Sequence, residues 1–460
     1  METPQAIETI VSKELDYRPY SVNEPFYSYT RIFPQSGSTT TTINAGGNDT
    51  IFELPPTKAY NLAKSWFDFS ITTPHIDNRD IYIFADFIPF FRQIQVYTRG
   101  GLFLMDLNDA HLHSKMTMKI NKKMKDTLNT SITGQDSSTG SYSPCFSSNN
   151  QVTDISSLRY DGTQSNKNYT EPSYLLNNST TNGVDINIHV TIYFKEIWDT
   201  ILSIDHDIIF NETILIRFVW NTLNNVAFSA PEGPPPNPTN NNPAVLANPI
   251  TVYNMQIKLA VEENLSITSG LLSKIASPEG FSLIIPYTYS NSISLTGTSN
   301  TVTLRVNRAN GLTLDKIYHS VFAAYDAASP NLAVYDNDDI NAVKVQAFYT
   351  NLNNQKMNQY DFYITEEDDY KILKHILHDS TIQSSNIYYY NWVWVQLFRQ
   401  GTIMPQYNSD NIIQGIDLNQ GEQKWDFVAT VAAPATNYNH QSFIVCKRKL
   451  VITSAGIVLN

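Results

Sequence analysis

Charge is scarce in this chain. Asp, Glu, Lys and Arg make up 16% of its 460 residues, against about a quarter in ordinary soluble domains. The polar surface therefore has to come from Asn, Thr, Ser, Gln and Tyr, a texture unlike that of a typical cytosolic enzyme. What charge there is leans one way, to a formal −12, so the cationic footprint that nucleic-acid binding requires is missing. No uninterrupted apolar run is long enough for a transmembrane helix, and the acidic start METPQAIETIVSKELDYRP has no apolar segment of the secretory type. Cysteine is nearly absent. Cys145 and Cys446 lie far apart in sequence and are expected to be free thiols in a reducing compartment. Asn is so common that tripeptides such as Asn48-Asp-Thr are read as chance rather than as glycosylation signals.

Catalytic motifs are missing as well. There is no Gly-x-Ser-x-Gly elbow, no P-loop, no Rossmann glycine fingerprint and no paired zinc cysteines. Four constellations remain. His111 and His113, with Asp106 and Asp109, could share a strand face and hold a metal. The stretch 108–118 reads as helical or irregular, however, where residues two apart diverge, so surface histidines are the simpler reading. His375 and His378 stand three apart on an expected helix, with Asp379 beside them, and read as a solvated face. Asp205-His206-Asp207 sits between two apolar runs and reads as a turn. Glu366 to Asp369 lack the spacing of a calcium loop and suit the first turn of a helix capped by Thr365. No catalytic, cofactor-binding or metal-binding residue is assigned, and no cofactor is expected.

Strand signals, by contrast, are abundant. Aromatics reach 12%, with 27 Tyr and 22 Phe, and they favour strands. Short runs such as DTIFELPP, SWFDFSITTP, DIYIFADF and TILIRFVW are bounded by Pro, Asn, Asp or Gly. FRQIQVYTRGGLFLMD alternates up to Gly100-Gly101 and then starts a second apolar run, which predicts an antiparallel hairpin. Residues 1–45 show little periodicity and read as an extended arm. Long polar stretches at 126–182 and 231–243 read as surface excursions, the second because its clustered prolines cannot donate ladder hydrogen bonds. SITSGLLSKIASPEG is helix-like, with Leu271, Leu272 and Ile275 on one face and Pro278 as its stop. LDKIYHSVFAAY and TEEDDYKILKHILHD are the other helical candidates. The chain is thus expected to run through one β-domain (46–265), cross a helical connector (266–280) and enter a second (281–460). The fold class is all-β, two sandwiches or jelly rolls with few short helices.

Three segments carry a resemblance: FRQIQVYTRGGLFLMDLNDA, FKEIWDTILSIDHDIIFNETILIRFVW and YNMQIKLAVEENLSITSGLLSKIASPEGFSLIIPYTY. The closing GEQKWDFVATVAA and FIVCKRKLVITSAG fit with them. Over roughly residues 45–460 the chain resembles the double jelly-roll major capsid proteins of icosahedral DNA viruses, in particular the virophage and polinton-like group. VEENLSIT stands where members from larger viruses carry more charge. The resemblance implies two consecutive eight-stranded antiparallel jelly rolls. It implies a hexon-like homotrimer that builds a virion shell, with penton and minor capsid proteins as further partners. It implies no enzymatic activity and no direct contact with nucleic acid, leaving the genome to another component or an internal membrane. The arm would lie beneath the shell and the long loops outside it. The competing expectation is a carbohydrate-binding or glycoside-cleaving β-sandwich, because runs such as YYYNWVWVQ could stack sugars.

Overall fold

The computed structural model describes residues 24–44, 46–72, 81–84, 88–121, 142–143, 173–177, 187–229, 249–295, 297–323, 345–357, 362–363, 394–398, 415–431 and 438–460. The first barrel begins with β1 (Tyr27–Ile32), β2 (Thr41–Ile43), β3 (Asp49–Leu54), β4 (Ala59–Thr72), β5 (Ile81–Phe84), β6 (Phe91–Thr98) and β7 (Phe103–Asn108). A helix, α1 (Ala110–Asn121), follows. Then come β8 (Tyr142–Ser143), β9 (Ser173–Asn177), β10 (Asn187–Tyr193), β11 (Asp207–Ile209), β12 (Ile214–Trp220), β13 (Ala227–Ser229) and β14 (Ile250–Glu262). One sheet has the order β1-β14-β4-β10, with β2 on β14 and β11 on β4; the facing sheet is β3-β12-β6-β7. Except at the β6–β7 hairpin, successive main strands cross from one sheet to the other, which is the jelly-roll path.

Alternation explains why these strands form a sandwich. In β12, Ile214, Ile216 and Phe218 are fully buried, while Arg217 points outward to Asp49 (2.6 Å) and Gln95 (3.1 Å) on the strands either side. The inner faces bring Phe52, Phe67, Phe69, Phe91, Phe218 and Trp220 into one aromatic cluster. Phe67 stacks on Phe218 at 4.8 Å, and Phe69 meets Trp220 edge-on at 5.4 Å. The Trp220 indole donates to Thr50 Oγ1 (2.9 Å), so the cluster buries no orphaned indole N–H there.

The β6–β7 hairpin forms, and its turn needs positive φ only at Gly101 (φ 90°). A third, small sheet, β13-β5-β9-β8, is made from three connections of the barrel: those between β4 and β6, β7 and β10, and β12 and β14. Two of its strands lie within the 126–182 excursion; residues 231–243 fall outside the described residues. Residues 27–32 and 41–43, which the sequence reading assigns to the arm, instead pair with β14. Their burial is partial, so the alternation that marks an inner strand is weak in the sequence.

The connector is α2 (Leu265–Ala276), capped by Asn264, whose side chain accepts from the Ser266 amide. Leu271 and Ile275 are its buried residues. The second barrel starts with β15 (Phe281–Leu295), β16 (Ser299–Val306), β17 (Thr313–Ala323), β18 (Val345–Leu352), β19 (Gln355–Lys356) and β20 (Phe362–Tyr363). It ends with β21 (Trp394–Leu397), β22 (Ile416–Asp417), β23 (Gln423–Val431), β24 (Tyr438–Thr453) and β25 (Gly456–Leu459). Its sheets are β15-β24-β17-β21 and β16-β23-β18-β19, with β22 on β17, β25 on β24 and β20 on β18. In chain order these positions match β1-β14-β4-β10 and β3-β12-β6-β7 of the first barrel. Two jelly rolls of the same topology therefore follow one another in one polypeptide.

One helical expectation is overturned. LDKIYHSVFAAY belongs largely to β17, a strand in the middle of its sheet. Ile317 and Val321 face the second barrel's own core, while Tyr318 and Phe322 join the apolar core of the first. A strand with both faces covered shows a near-continuous apolar run, which periodicity cannot tell from a buried helix. TEEDDYKILKHILHD lies outside the described residues. Among the described residues, no helix is long and apolar enough to cross a membrane.

Candidate functional site

Two surfaces stand out, both on the sheet that contains β4 in the first barrel or its counterpart β17 in the second. The first is the seam where the barrels meet. The outer face of β15-β24-β17 packs against β7, α1 and the short 3-10 turn Ile201–Ser203. Successive residues of β24 part between two cores: Phe443 and Val445 go to the seam, Ile444 and Cys446 to the second barrel. At the seam's centre Lys316, 1% exposed, places Nζ 2.8 Å from Asp199 Oδ1. Tyr318 donates its hydroxyl to Asp199 Oδ2 (2.6 Å), and Thr288 donates to the Asp199 carbonyl (2.7 Å). Burial alone would raise the Asp199 carboxyl; Lys316 and the Tyr318 hydroxyl overcome it and hold the group below the usual carboxylate range.

His111 and His113 are buried, 5% and 1% exposed, and not on the surface that the sequence reading gave them. His113 faces this seam, while His111 lies at Phe91 of β6 in the first barrel. His113 meets Phe443 edge-on at 5.0 Å, and burial pushes both imidazoles down to about 4. Asp106 accepts from Gln93 (2.8 Å) and Gln95 (3.0 Å), while Asp109 accepts from Ser290 (3.0 Å) across the seam. Among the described residues, no group of three or more His, Cys, Asp or Glu could hold a metal.

Asp205 and Asp207 form a structural network. Asp205 pairs with Lys64 (2.8 Å) and accepts from Asn61 (2.9 Å), while Asp207 accepts from the Tyr27 hydroxyl (2.8 Å). Burial, and then Asp207, pushes that phenol up to about 12. His375, His378, Asp379 and Glu366 to Asp369 lie outside the described residues, as does Cys145. Cys446 is a free, buried thiol whose burial raises it to about 12.

The second barrel's core holds a histidine pair that the sequence reading passed over. His319 and His440 face each other at 3.4 Å among Trp425, Phe427 and Phe348. Burial pushes His440 down to about 3, and burial together with His440 drives His319 well below its ordinary value. Both are neutral when folded and take a proton near pH 6.5 when unfolded. Stability is therefore full above that pH and falls as the pH drops, by about 1.4 kcal/mol per unit for each histidine. Chemical denaturation should show about 2 kcal/mol less stability at pH 5 for each of the pair, and His440→Leu should flatten the dependence.

The second surface is the outer face of β1-β14-β4-β10. It is the counterpart of the seam face, but none of the described residues covers the aromatic side chains on it. Tyr29 (53% exposed), half-buried Trp66 and Tyr193 form a ladder, with ring separations of 4.9 and 5.9 Å. Beside it, Asp68 accepts from Trp66 Nε1 (3.0 Å) and Thr191 (2.8 Å), with His189 at 3.6 Å. The sequence held a signal for this face: in SWFDFSIT, Trp66 falls on the side of Asp68 and Ser70, opposite Phe67, Phe69 and Ile71.

Paired jelly rolls of like topology, joined by a short helix and packed through one sheet, define the double jelly-roll fold. That is the fold of viral major capsid proteins. The Faustovirus major capsid protein superposes with a TM-score of 0.61 at 10% identity, over 98% of this chain and 95% of that one. The capsid of the virus PBCV-1 gives 0.52 at 9%, over 96% and 98%. The Sputnik virophage structure gives 0.51 at 12%, over 100% and 92%. No protein-family model and no curated protein sequence matches the chain.

Proposed function

We propose that the protein is a major capsid protein, a structural and non-enzymatic component of a virion shell, which associates as a trimer of pseudo-hexagonal outline. The observation that carries this reading is the uncovered aromatic face of β1-β14-β4-β10. Within the chain, the equivalent face of the second barrel is buried against the first. If each barrel docks on the next in the same way, the contact is head-to-tail, and such contacts close into a ring where the rotation from barrel to barrel is a whole fraction of a turn. Three chains then supply six barrels, and the Tyr29–Trp66–Tyr193 ladder receives the second barrel of a neighbouring copy. Aromatic residues of this kind are enriched where interfaces concentrate their binding energy.

On this reading the first domain takes in β1 and β2 and runs to residue 265, a connector spans 266–280 and the second domain runs over 281–460, with the long loops on the outer surface. Shell contacts between capsomers, and with penton and minor capsid proteins, follow from the same role. A formal charge of −12 disfavours direct genome binding. The test is light scattering of the purified chain beside a Trp66→Glu variant, which puts a second carboxylate next to Asp68. The unchanged chain should run as a trimer and the variant as a monomer of unchanged fold. A monomeric unchanged chain, or a variant that still trimerises, would sink the proposal.

A further inference from the structure

The seam holds more polar chemistry than a permanent joint needs. His113 is buried on α1, and its Nε2 atom has no hydrogen-bond partner. Its ring stands edge-on to Phe443 at 5.0 Å and to Tyr318 at 6.4 Å. The charged and titratable groups around it come from several elements. The turn after β10 contributes Asp199. From β17 come Lys316 and Tyr318, with Asp315 3.9 Å from the Lys316 ammonium. From β15 comes Ser290 and from β24 Gln441, both directed at Asp109, and β24 also carries the buried Lys447 on the side of Phe443 and Val445. Its own helix carries His111 and Lys115, the latter 5.9 Å over the Phe322 ring, and Arg92 acts on His111.

We propose that this seam is an acid-sensitive joint: protonation of His113 in mildly acidic solution releases α1 from the outer face of β17 and β24 while both barrels stay folded. The reason is a shortage of acceptors. An imidazolium at His113 needs a partner for its new N–H, and Asp199 is the carboxylate whose charge favours it. Both Asp199 oxygens are already engaged, one by Lys316 and one by Tyr318. In the closed seam no acceptor lies within hydrogen-bonding reach of His113 Nε2, so the new proton would sit in a buried site without a partner, which is costly in a dry interface. Undocking α1 lets water solvate the ring and removes the conflict.

The sign follows from burial. Closed, His113 takes a proton only near pH 4; open, it does so near 6.5. The closed state therefore keeps its full advantage above pH 6.5 and loses it progressively down to about pH 4. Between pH 7.5 and 5 the opening equilibrium rises about 30-fold for one such histidine. This inference rests on the contact between two barrels of one chain and does not require that three copies associate.

Hydrogen–deuterium exchange on the full-length protein in its native assembly state, at pH 7.5 and 5.0 and corrected for intrinsic exchange, tests it. Protection in α1 and in residues 199–203 should fall about 30-fold at pH 5, while β3–β12 in the first barrel keeps its own. His113→Phe, which fills the site with an apolar ring, and His113→Gln, which keeps it polar but uncharged, should both retain most of the seam protection. Three results would each overturn the proposal. One is a seam equally protected at both pH values; another is a loss in both variants as large as in the unchanged chain. The third is a parallel loss in β3–β12, which would make the whole first barrel, and not its joint, the acid-labile part.

Discussion

Asp199→Ala is expected to lower the stability of the chain by about 3–5 kcal/mol. The Lys316 ammonium is 1% exposed and reaches Asp199 at 2.8 Å, with Asp315 at 3.9 Å as the remaining carboxylate. The Tyr318 hydroxyl donates to the same group from 2.6 Å and would lose its acceptor. Removing one member of a buried ion pair costs far more than the pair itself contributes, because the other charge stays in a site built without water. The double variant Asp199→Ala, Lys316→Met should therefore recover most of the loss. Urea denaturation at pH 7.5 measures both. A single variant within 1 kcal/mol of the unchanged protein would mean that water reaches the pair. The carboxyl is held below its usual range, so its contribution is present above about pH 4 and fades as the pH falls further. The single variant should lack that acid-side loss.

Phe67→Ala should cost about as much, 3–5 kcal/mol, for a different reason. Phe67 is fully buried, with Phe218 at 4.8 Å, Phe52 and Phe69 at 5.1 Å and Phe91 at 5.8 Å. Its neighbours are anchored on separate strands of both sheets, so they cannot collapse into the space left behind. The loss thus includes both the transfer of the ring and the cavity it leaves. Phe103→Ala is the control: that ring is 41% exposed and leans on Tyr97 at 5.5 Å. Less than about 1 kcal/mol is expected there. Thermal or chemical denaturation that ranked the two equally would contradict the packing described for the first barrel.

Much of the first barrel was legible because its strands are covered on one face only. INIHVTIYF and the run before Gly100 alternate, and their outward polar residues announce the period of two. The seam was not legible, for the same physical reason in reverse. Lys316 and Tyr318 sit in a strand buried on both sides, whose apolar run imitates a helix. Asp199 lies about 120 residues from them in sequence, and nothing local pairs them. His113 was visible as a residue, but its burial depends on a sheet supplied by the other half of the chain. The aromatic ladder could have been found from the sequence, since Trp66 shares a strand face with Asp68 and Ser70.

Because β24 has an apolar partner on each side, solvent does not police its alignment. Inserting one residue before Phe443 would send Ile444 and Cys446 into the joint and Phe443 and Val445 into the barrel, trading grease for grease. In a sheet with one wet face the same slip would bury polar groups and correct itself. Here the alignment has to be set by side-chain shape and by the fifteen-pair ladder with β15, from Phe281↔Ile452 to Leu295↔Tyr438. The longest strands of the molecule are thus the ruler by which its two halves are laid against each other.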